Sequence, residues 1–316
     1  MPPVPIMATL VFSMSFFLSV GFYFCRQAQM TRFRKKERFI MIFTLTPNPS
    51  VDIFAESAHS RARHARIGGK GVNVSRFLAR LGRESVCLFT AGERLGRFIA
   101  GSLAEEGIAA RPFYAAGCEN RVNIKFTRDE RELNGRGRTC AAAERAALEY
   151  ISENLSAGDV LALCGSLPDG ADSGFYARAV SAAARAGAIA VVDTSGAPLA
   201  AAAAAGPYLA KPNLSESASL PGYRRGMSAA QAAELTVECG AQRALVSNGG
   251  EPAAYCERGG RAVTLPVRKV KAVSTVGAGD AMLAAWIDGM LSGLGGAECA
   301  ARGVEFAGRI ITEPLP

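Results

Sequence analysis

Segments with the pattern of a strand alternate with segments with the pattern of a helix from Met41 to the end of the chain. The strand-like runs are short and mostly apolar: IFTLTP, SVCLFT, RVNIKF, DVLALCG, AIAVVDTS, YLAKPN and RALVSNGG. The runs between them repeat apolar residues three and four apart, and GVNVSRFLARLG ends at Gly82 as helices often do. This alternation predicts a mostly parallel sheet with helices on both faces, in one domain over residues 41–316. Ligands of such sheets bind at the carboxyl ends of the strands.

Residues 1–40 have a different composition and form a hydrophobic and basic N-terminal extension. Residues 6–25 carry no charge, and a stretch of this length could cross a membrane as a helix. Six basic residues and one glutamate follow it before Met41. Three interpretations remain open: a mis-assigned start with Met41 as the initiator, a membrane anchor, or a signal peptide. No basic region precedes the apolar run, which disfavours the signal peptide. The first two interpretations place the domain in the cytoplasm, because positive charge flanks the cytoplasmic side of a span.

Charge and cysteine content exclude two classes of site. The net charge is +8, but the extension contributes +5 of it, so the domain has no strongly basic face for nucleic acid. The eight cysteines form no C-x-x-C pair, and His59 and His64 are the only histidines. A zinc site is therefore not expected, and free thiols indicate a reducing compartment.

The stretch STVGAGD places one carboxylate at the start of an apolar helix. Gly277, Ala278 and Gly279 leave backbone N–H groups uncovered, and such groups at a helix N-terminus bind anions. Asp280 would repel an anion there, so it either caps the helix or takes a proton from a hydroxyl that attacks a phosphoryl group. The helix is expected to bury one face, formed by Met282, Leu283, Trp286, Ile287, Met290 and Leu291.

Three further loops carry polar groups next to glycine or after a strand. IGGKGVNVSR is neither a Walker A loop nor a dinucleotide-binding loop, and its Lys70 and Asn73 are suited to ligand hydroxyls. In KPNLSE, Lys211, Asn213 and Glu216 suit a network of Mg²⁺, water and phosphate, or an Asn-x-x-Glu capping pair. LVSNGGEPAAY is either a nucleotide contact or a hairpin turn.

Eight motifs, in this order, resemble the ribokinase-like sugar kinases of the PfkB family: NPSVD, GGKGVNVSR, RVNIK, LNGRG, CGSLPDG, KPNLSE, SNGG and STVGAGD. The resemblance covers about residues 42–308. It implies a three-layer α/β/α fold with a mostly parallel central sheet and a small β lid that often pairs two subunits into a homodimer. It also implies ATP as co-substrate, Mg²⁺ as cofactor and transfer of the γ-phosphoryl group to a sugar phosphate. Fructose 1-phosphate, giving fructose 1,6-bisphosphate, is the favoured acceptor, with tagatose 6-phosphate next and fructose 6-phosphate also possible.

The resemblance assigns a role to each matching position. The expected base is Asp280, with an anion hole formed by Gly277, Ala278 and Gly279. The expected contacts to sugar hydroxyls are Asp52, Gly69, Lys70 and Asn73, and those to the sugar phosphate are Arg121, Ser166 and Lys125. The expected Mg–ATP contacts are Lys211, Asn213 and Glu216, with Glu216 reaching the metal through water. The expected nucleotide loops contain Ser247, Asn248, Gly249, Gly250, Glu251, Pro252 and Thr275.

The sequence departs from the family pattern at three places, which raise a weakened or inactive enzyme as an alternative. The segment IFAESAHSRARHARI is short, so the lid is expected to be shortened, with Arg61, Arg63 and Arg66 as remaining phosphate contacts. Asn248 and Pro252 stand where Leu and Gly are usual, and proline removes an N–H donor. The chain ends at RIITEPLP, so the last helix is expected to be incomplete. A non-catalytic protein that binds sugar phosphate or nucleotide is the alternative.

Overall fold

The computed structural model describes residues 39–57, 62–126, 128 and 131–313. The chain divides into two compact units, residues 1–40 and 41–316, and the second contains the elements below. The apolar segment interpreted as a false start, an anchor or a signal peptide lies outside the described residues. Within the part of the chain that is described, no helix is both long enough and apolar enough to span a membrane.

Thirteen strands and eight α-helices make up the described part of the chain. The strands are β1 (Ile42–Thr46), β2 (Ser50–Ala55), β3 (Ala62–Gly68), β4 (Val86–Ala91), β5 (Ala109–Tyr114), β6 (Arg121–Phe126), β7 (Arg131–Asn134), β8 (Val160–Cys164), β9 (Ile189–Asp193), β10 (Leu209–Ala210), β11 (Arg243–Asn248), β12 (Glu251–Glu257) and β13 (Val263–Leu265). The helices are α1 (Lys70–Arg80), α2 (Glu93–Glu105), α3 (Ala141–Asn154), α4 (Phe175–Ala186), α5 (Ala197–Ala204), α6 (Ala229–Glu238), α7 (Ala278–Leu291) and α8 (Gly296–Ile310).

Nine of these strands form the central sheet, in the order β13-β12-β11-β10-β9-β8-β1-β4-β5. Pairing is parallel from β11 to β5 and antiparallel only at the β11–β12–β13 edge. The strands β1 and β8 are buried along their whole length, as expected for a parallel sheet covered on both faces. This confirms the fold class predicted from the alternation of segments.

Helices cover the sheet on both faces and complete three layers. On one face α1, α7 and α8 pack against Ile42, Val160 and Leu245, and α2 packs beside them. On the other face α3 and α4 pack against Phe43 and Leu161, with α5 and α6 alongside. The residue that points to each face alternates along every strand, so adjacent strand residues belong to different cores.

Helix α7 differs from the helix expected from the sequence, which buried a single face. Its residues from Asp280 to Gly289 are all buried, because α1 and α8 flank the helix and the sheet lies beneath it. The small residues Ala281, Ala284 and Ala285 permit this close packing. The first turn of α7 is thus held rigidly from several sides.

A second sheet of four strands, in the order β3-β2-β6-β7, forms the lid. The short segment before GGKG still folds into the antiparallel pair β2–β3, with Ser50 opposite Gly68 and Asp52 opposite Arg66. Strand β6 adds to β2 in parallel and β7 closes the other edge. The four strands show that the short segment does not prevent a lid sheet, although Arg61 and the side chain of Arg63 lie outside the described part.

Candidate active site

A cleft of about 1000 Å³ lies between the lid and the central sheet. The lid contributes side chains from β2, β3 and β6, and the central domain contributes the starts of α1 and α7 and the loops after β10 and β11. The site residues expected from the sequence line this cleft, except Ser166, Asn248 and Pro252 and apart from Arg61 and Arg63, whose side chains are not among those described. The motifs are therefore brought together although they lie far apart in the chain.

Helix α1 begins at the cleft because of the glycine before it. Gly69 has a φ of +130°, and a Cβ atom there would lie 2.8 Å from Cγ2 of Thr46, so a side chain is excluded. The helix then presents Lys70 and Asn73 to the cleft, one turn apart on the same face.

Helix α7 begins after Gly277, whose φ of +81° is the left-handed conformation that glycine adopts without strain. Ala278 and Gly279 open the first turn, and their N–H groups have no partner within the helix. Asp280 follows in the same turn and is 6% exposed. The Nδ2 group of Asn73 donates to Oδ2 of Asp280 over 2.8 Å, so α1 and α7 meet at the carboxylate.

The pKa of Asp280 is raised from its ordinary 3.8 to about 7. Burial is the main cause, and the negative charge of Asp193 adds to it. The hydrogen bond from Asn73 and the charges of Lys70 and Lys211 act in the opposite direction. A carboxylate with a pKa near 7 is suited to accept a proton at physiological pH.

Asp193 ends strand β9 and is 1% exposed beneath the cleft. Its Oδ1 lies 2.7 Å from Nζ of Lys70 and its Oδ2 lies 2.8 Å from Nζ of Lys211. Burial opposes its ionisation, but the two lysines outweigh burial and lower the pKa of Asp193. Sequence reasoning missed Asp193. A signal was available in the sequence, because Asp193 ends the apolar strand AIAVVD and is therefore expected to be buried. A buried aspartate rarely lacks a charged partner, so a nearby cation could have been predicted.

Lys70 lies between two carboxylates instead of standing free for a sugar hydroxyl. Besides Asp193, its Nζ group contacts Oε1 of Glu216 at 3.0 Å. Burial lowers the pKa of Lys70, but the charges of Asp193 and Glu216 more than reverse this and raise it. Lys70 therefore remains protonated and places a fixed positive charge beside Asp280.

Asn213 and Glu216 form the reciprocal capping pair that the sequence offered as one of two interpretations. The N–H of Glu216 donates to Oδ1 of Asn213 and the N–H of Asn213 donates to Oε2 of Glu216, both over 2.8 Å. Both residues also line the cleft. Capping and ligand contact are thus compatible at this position.

The acidic groups near the cleft do not form a dedicated metal cage. Within the described residues no group of three or more His, Cys, Asp or Glu side chains is placed to hold a metal ion. Glu216 lines the cleft, and its two oxygens already accept bonds from Lys70 and from the N–H of Asn213. Mg²⁺ is commonly held by substrate phosphates and waters with one or two carboxylates. These residues fit an ion held mainly by a nucleotide, with Glu216 reached through water.

Asp52 marks the lid end of the cleft. Its Oδ1 accepts from the hydroxyl of Ser50 and from Nδ2 of Asn123, each over 2.7 Å, and Nζ of Lys125 lies 3.1 Å from its Oδ2. A Cβ atom at Gly68 would lie 2.4 Å from Oγ of Ser50, so glycine is required opposite this group. Asn123 was not predicted from the sequence, although the strand period puts it on the same face as Arg121 and Lys125.

Two guanidinium groups beside Asp52 carry excess positive charge into the cleft. The Nε atom of Arg121 is buried and has no hydrogen-bond partner among the described residues. Burial lowers the pKa of Arg121, and burial and the charge of Arg76 lower the pKa of Arg66. Buried guanidinium groups with a lowered pKa favour the binding of an anion such as a phosphate.

Ser166 lies apart from these arginines. Its hydroxyl accepts from Nδ2 of Asn48 over 3.4 Å, and it does not line the cleft. Its expected role in binding the sugar phosphate is therefore the least supported of the sugar contacts.

The far end of the cleft is formed by the β11–β12 hairpin. Ser247, Gly249, Gly250 and Glu251 line it, so the hairpin interpretation is confirmed and the nucleotide contact stays a prediction. Asn248 pairs with Glu251 at the base of the turn, outside the lining. Pro252 also lies outside the lining, so its missing N–H does not face the cleft.

The loop before Gly277 is fixed by the C-terminal helix. The N–H groups of Val273 and Ser274 donate to the carbonyl of Ile311 over 2.7 and 3.3 Å. Ile310 and Ile311 line the cleft, so the C-terminal end of α8 reaches it. Three basic residues that sequence reasoning did not select also line this end: Arg80, Arg268 and Lys269.

A family model described as "pfkB family carbohydrate kinase" matches residues 40–315. The chain belongs to this family. It is 33% identical over 262 residues to the 1-phosphofructokinase of Bacillus subtilis, covering 79% of this chain and 86% of the relative. It is 32% identical to the D-tagatose-1-phosphate kinase of Bacillus licheniformis, covering 78% and 84%.

Solved structures agree with this assignment. The tetrameric inhibited form of phosphofructokinase-2 from Escherichia coli matches with a TM-score of 0.77 and 27% identity, covering 86% of this chain and 94% of that one. The fold and the enzyme class expected from the motifs are thus confirmed. The protein is a pfkB carbohydrate kinase, and membership of this kinase family implies ATP as co-substrate.

Proposed function

We propose that this pfkB kinase transfers the γ-phosphoryl group of ATP to fructose 1-phosphate and forms fructose 1,6-bisphosphate. The observation that carries the proposal is Asp280, buried at the start of α7 in the cleft that also contains Asp52 and Arg121. A poised base, a polar group suited to sugar hydroxyls and an unpartnered guanidinium share one cavity. Relatives named 1-phosphofructokinase support the choice of acceptor.

The reacting hydroxyl is deprotonated by Asp280 as its oxygen attacks the γ-phosphorus. The P–O bond to ADP breaks, and the leaving group departs in line with the attack. The N–H groups of Gly277, Ala278 and Gly279 stabilise the negative charge on the transferring group. Lys70, whose positive charge is paired with Asp193, lines the same cleft.

The sugar phosphate binds at the lid end. Asp52 and Asn123 contact sugar hydroxyls, and Arg121 with Lys125 and Arg66 binds the phosphate already on the sugar. We assign Gly69 and Asn73 to the edge of this subsite, where backbone and amide face the reacting hydroxyl. Ser166 completes the phosphate site only if it moves toward the cleft on binding.

The nucleotide binds at the other end. Lys211, Asn213 and Glu216 line the cleft where its phosphates bind. Glu216 would help to hold Mg²⁺ through water, and the ion would neutralise charge on the phosphates. Thr275 and the hairpin residues Ser247, Gly249, Gly250 and Glu251 hold the nucleoside part. Asn248 and Pro252 shape the turn and make no direct contact.

Two other acceptors remain candidates because relatives bear their names. An ATP-dependent 6-phosphofructokinase isozyme 2 of Escherichia coli is 31% identical to this chain, and a tagatose-6-phosphate kinase of Staphylococcus epidermidis is 27% identical. The acceptors differ in the position of one phosphate and one hydroxyl, and we propose that the same arginines bind the phosphate of whichever acceptor is used. A non-catalytic binding protein is the remaining alternative, and the retained Asp280 argues against it.

We further propose a homodimer formed through the lid and a cytoplasmic location for residues 41–316. All four residues of β7 are exposed, and Leu133 on that strand is 55% exposed. An open edge strand with an apolar side chain favours pairing with a second copy. The seven cysteines within the described residues are free thiols, which suits a reducing compartment. We expect residues 1–40 to be dispensable for catalysis.

A coupled assay of ADP release tests the function. Full-length protein and residues 41–316 are each given Mg–ATP with fructose 1-phosphate, fructose 6-phosphate, tagatose 6-phosphate or no sugar. The expected result is strong turnover on fructose 1-phosphate by both forms, and loss of turnover in Asp280→Asn. Preference for another sugar phosphate would change the substrate, and folded protein that binds ATP but turns over none of them would support the binding-protein alternative.

A further inference from the structure

Arg76 lies one turn beyond Asn73 on α1 and is 11% exposed at its side chain. Its Nε and Nη2 groups donate to the two carboxylate oxygens of Glu106, over 2.6 and 2.7 Å. Its Nη1 group donates to the carbonyl of Ile67 in β3 over 2.6 Å and to Oδ1 of Asn73 over 3.2 Å. One guanidinium thus joins α1, the residue that ends α2, a lid strand and the amide next to Asp280.

The chemistry of the guanidinium fixes which way that amide faces. Arginine donates hydrogen bonds and accepts none, so the side of Asn73 that faces Arg76 must be its oxygen. The amino group of Asn73 then faces Asp280, as the 2.8 Å contact shows. A flipped Asn73 amide would place its amino group against the donors of Arg76 and its oxygen against the carboxylate of Asp280. Both contacts would be repulsive, so they favour the observed orientation.

We propose that Arg76, held by Glu106, is a positioning residue that fixes the Asn73 amide so that Asp280 presents one free oxygen to the sugar hydroxyl. The inference rests on the proposed role of Asp280 as base. Oδ2 of Asp280 is occupied by the amide, which leaves Oδ1 for the incoming proton. Neither Arg76 nor Glu106 lines the cleft, so neither touches the substrate.

The pH dependence of activity reports this arrangement. The charged groups that face Asp280 are Lys70 on α1, Asp193 at the end of β9 and Lys211 after β10, and all remain when Arg76 is changed. The hydrogen bond from Asn73 lowers the pKa of Asp280. When Arg76 is lost the amide is free to turn, the bond weakens, and the pKa of Asp280 rises.

The kinetic test uses full-length enzyme with Mg–ATP and the sugar phosphate that wild type prefers. Arg76→Met is expected to lower kcat about 10- to 100-fold, as misplacement of a catalytic group does, with KM for the sugar phosphate changed less than about threefold. The acidic limb of the pH profile is expected to move up by about half a unit or more. Arg76→Lys keeps the positive charge and one donor nitrogen, so it should restore part of the wild-type kcat and part of the wild-type pH profile.

The matched control is Arg97→Met on α2. Arg97 also pairs with a glutamate, Glu93, but that pair is exposed and distant from the cleft, so its loss should leave kcat and the pH profile unchanged. A lower melting temperature in Arg76→Met, with wild-type kcat per folded molecule and an unmoved acidic limb, would show a merely structural brace and overturn the proposal.

A second measurement does not depend on turnover or on the folding of one variant. In ¹⁵N-labelled wild type the side-chain amide signals of Asn73 should be displaced from those of a free asparagine amide and should shift with the titration of Asp280. Glu106→Gln, and Arg76→Met if it folds, should move these signals toward the free-amide positions and weaken the titration shift; unchanged signals in Glu106→Gln overturn the proposal. Wild type that shows this coupling but no kinase activity would contradict the proposed function and retain the coupling.

Discussion

Replacing Asp280 by asparagine should remove activity and stabilise the protein at the same time. The proposed base is lost, so kcat should fall on the order of 10²- to 10⁴-fold. The stabilisation follows from the cost of holding a buried negative charge. The substituted asparagine keeps the size of the side chain and an oxygen for the Asn73 amide, but carries no charge.

The magnitude follows from the pKa of Asp280, which is about 7 in the fold against an ordinary 3.8. One pKa unit corresponds to about 1.4 kcal/mol, so ionised Asp280 costs about 4 kcal/mol of stability at pH 8. The native state holds the proton more tightly than the unfolded chain does. The cost is therefore absent below pH 3.8, grows as the pH rises, and is complete above about pH 7.

Urea unfolding of wild type and Asp280→Asn at pH 5 and pH 8 measures this cost. The free energy of unfolding of the variant should exceed that of wild type by about 4 kcal/mol at pH 8 and by less than half of that at pH 5. Equal stability of the two proteins at both pH values would refute the reasoning, because ionised Asp280 would then carry no cost.

The control is Asp288→Asn, two turns further along α7. Asp288 is 4% exposed but accepts from Nε of Arg83 over 2.8 Å and contacts Arg302. Its charge is paired, so its removal should destabilise the protein by about 1–3 kcal/mol and leave the acidic limb of the activity profile unchanged. The two variants thus shift stability in opposite directions from one helix.

Three further changes test other parts of the site. Gly68→Ala would bring a Cβ within 2.8 Å of Oδ2 of Asp52, so KM for the sugar phosphate should rise about tenfold, and an unchanged KM would contradict the lid contact. Lys211→Met leaves Asp193 with one lysine and should lower the free energy of unfolding by about 3 kcal/mol in urea titrations. Arg121→Lys should raise KM for the sugar phosphate about 10-fold or more, with KM for ATP within about twofold.

The central sheet was predictable because its signal is local. Strands such as β1 and β8 are continuous apolar runs bounded by turns, and α1 shows its period within eleven residues. Strand β5 was missed because AARPFY contains a charge and a proline at the sheet edge. The lid strands β3 and β7 were missed because they are rich in polar residues, and β2 was missed because it is defined by its pairing with β3 and β6.

The site was predictable where one motif carries the chemistry and unpredictable where two distant segments create it. Asp280 is conspicuous in STVGAGD by itself. Asp193 gains its meaning only from Lys70 and Lys211, which meet it from α1 and from the loop after β10. The contact from Arg76 to Glu106 likewise joins two helices, so neither residue stood out in the sequence.

The pairing of β2 with β6 sets an order in which the domain can fold. Strand β2 pairs with β3, the next strand along the chain, but α1, β4, α2 and β5 separate it in sequence from its other neighbour, β6. Ordering that much chain costs conformational entropy that the lid alone does not recover. The sugar site is therefore expected to form last and open first. Amide hydrogens of β2 and β6 should exchange with solvent before those of β8, while the nucleotide end of the cleft is still folded.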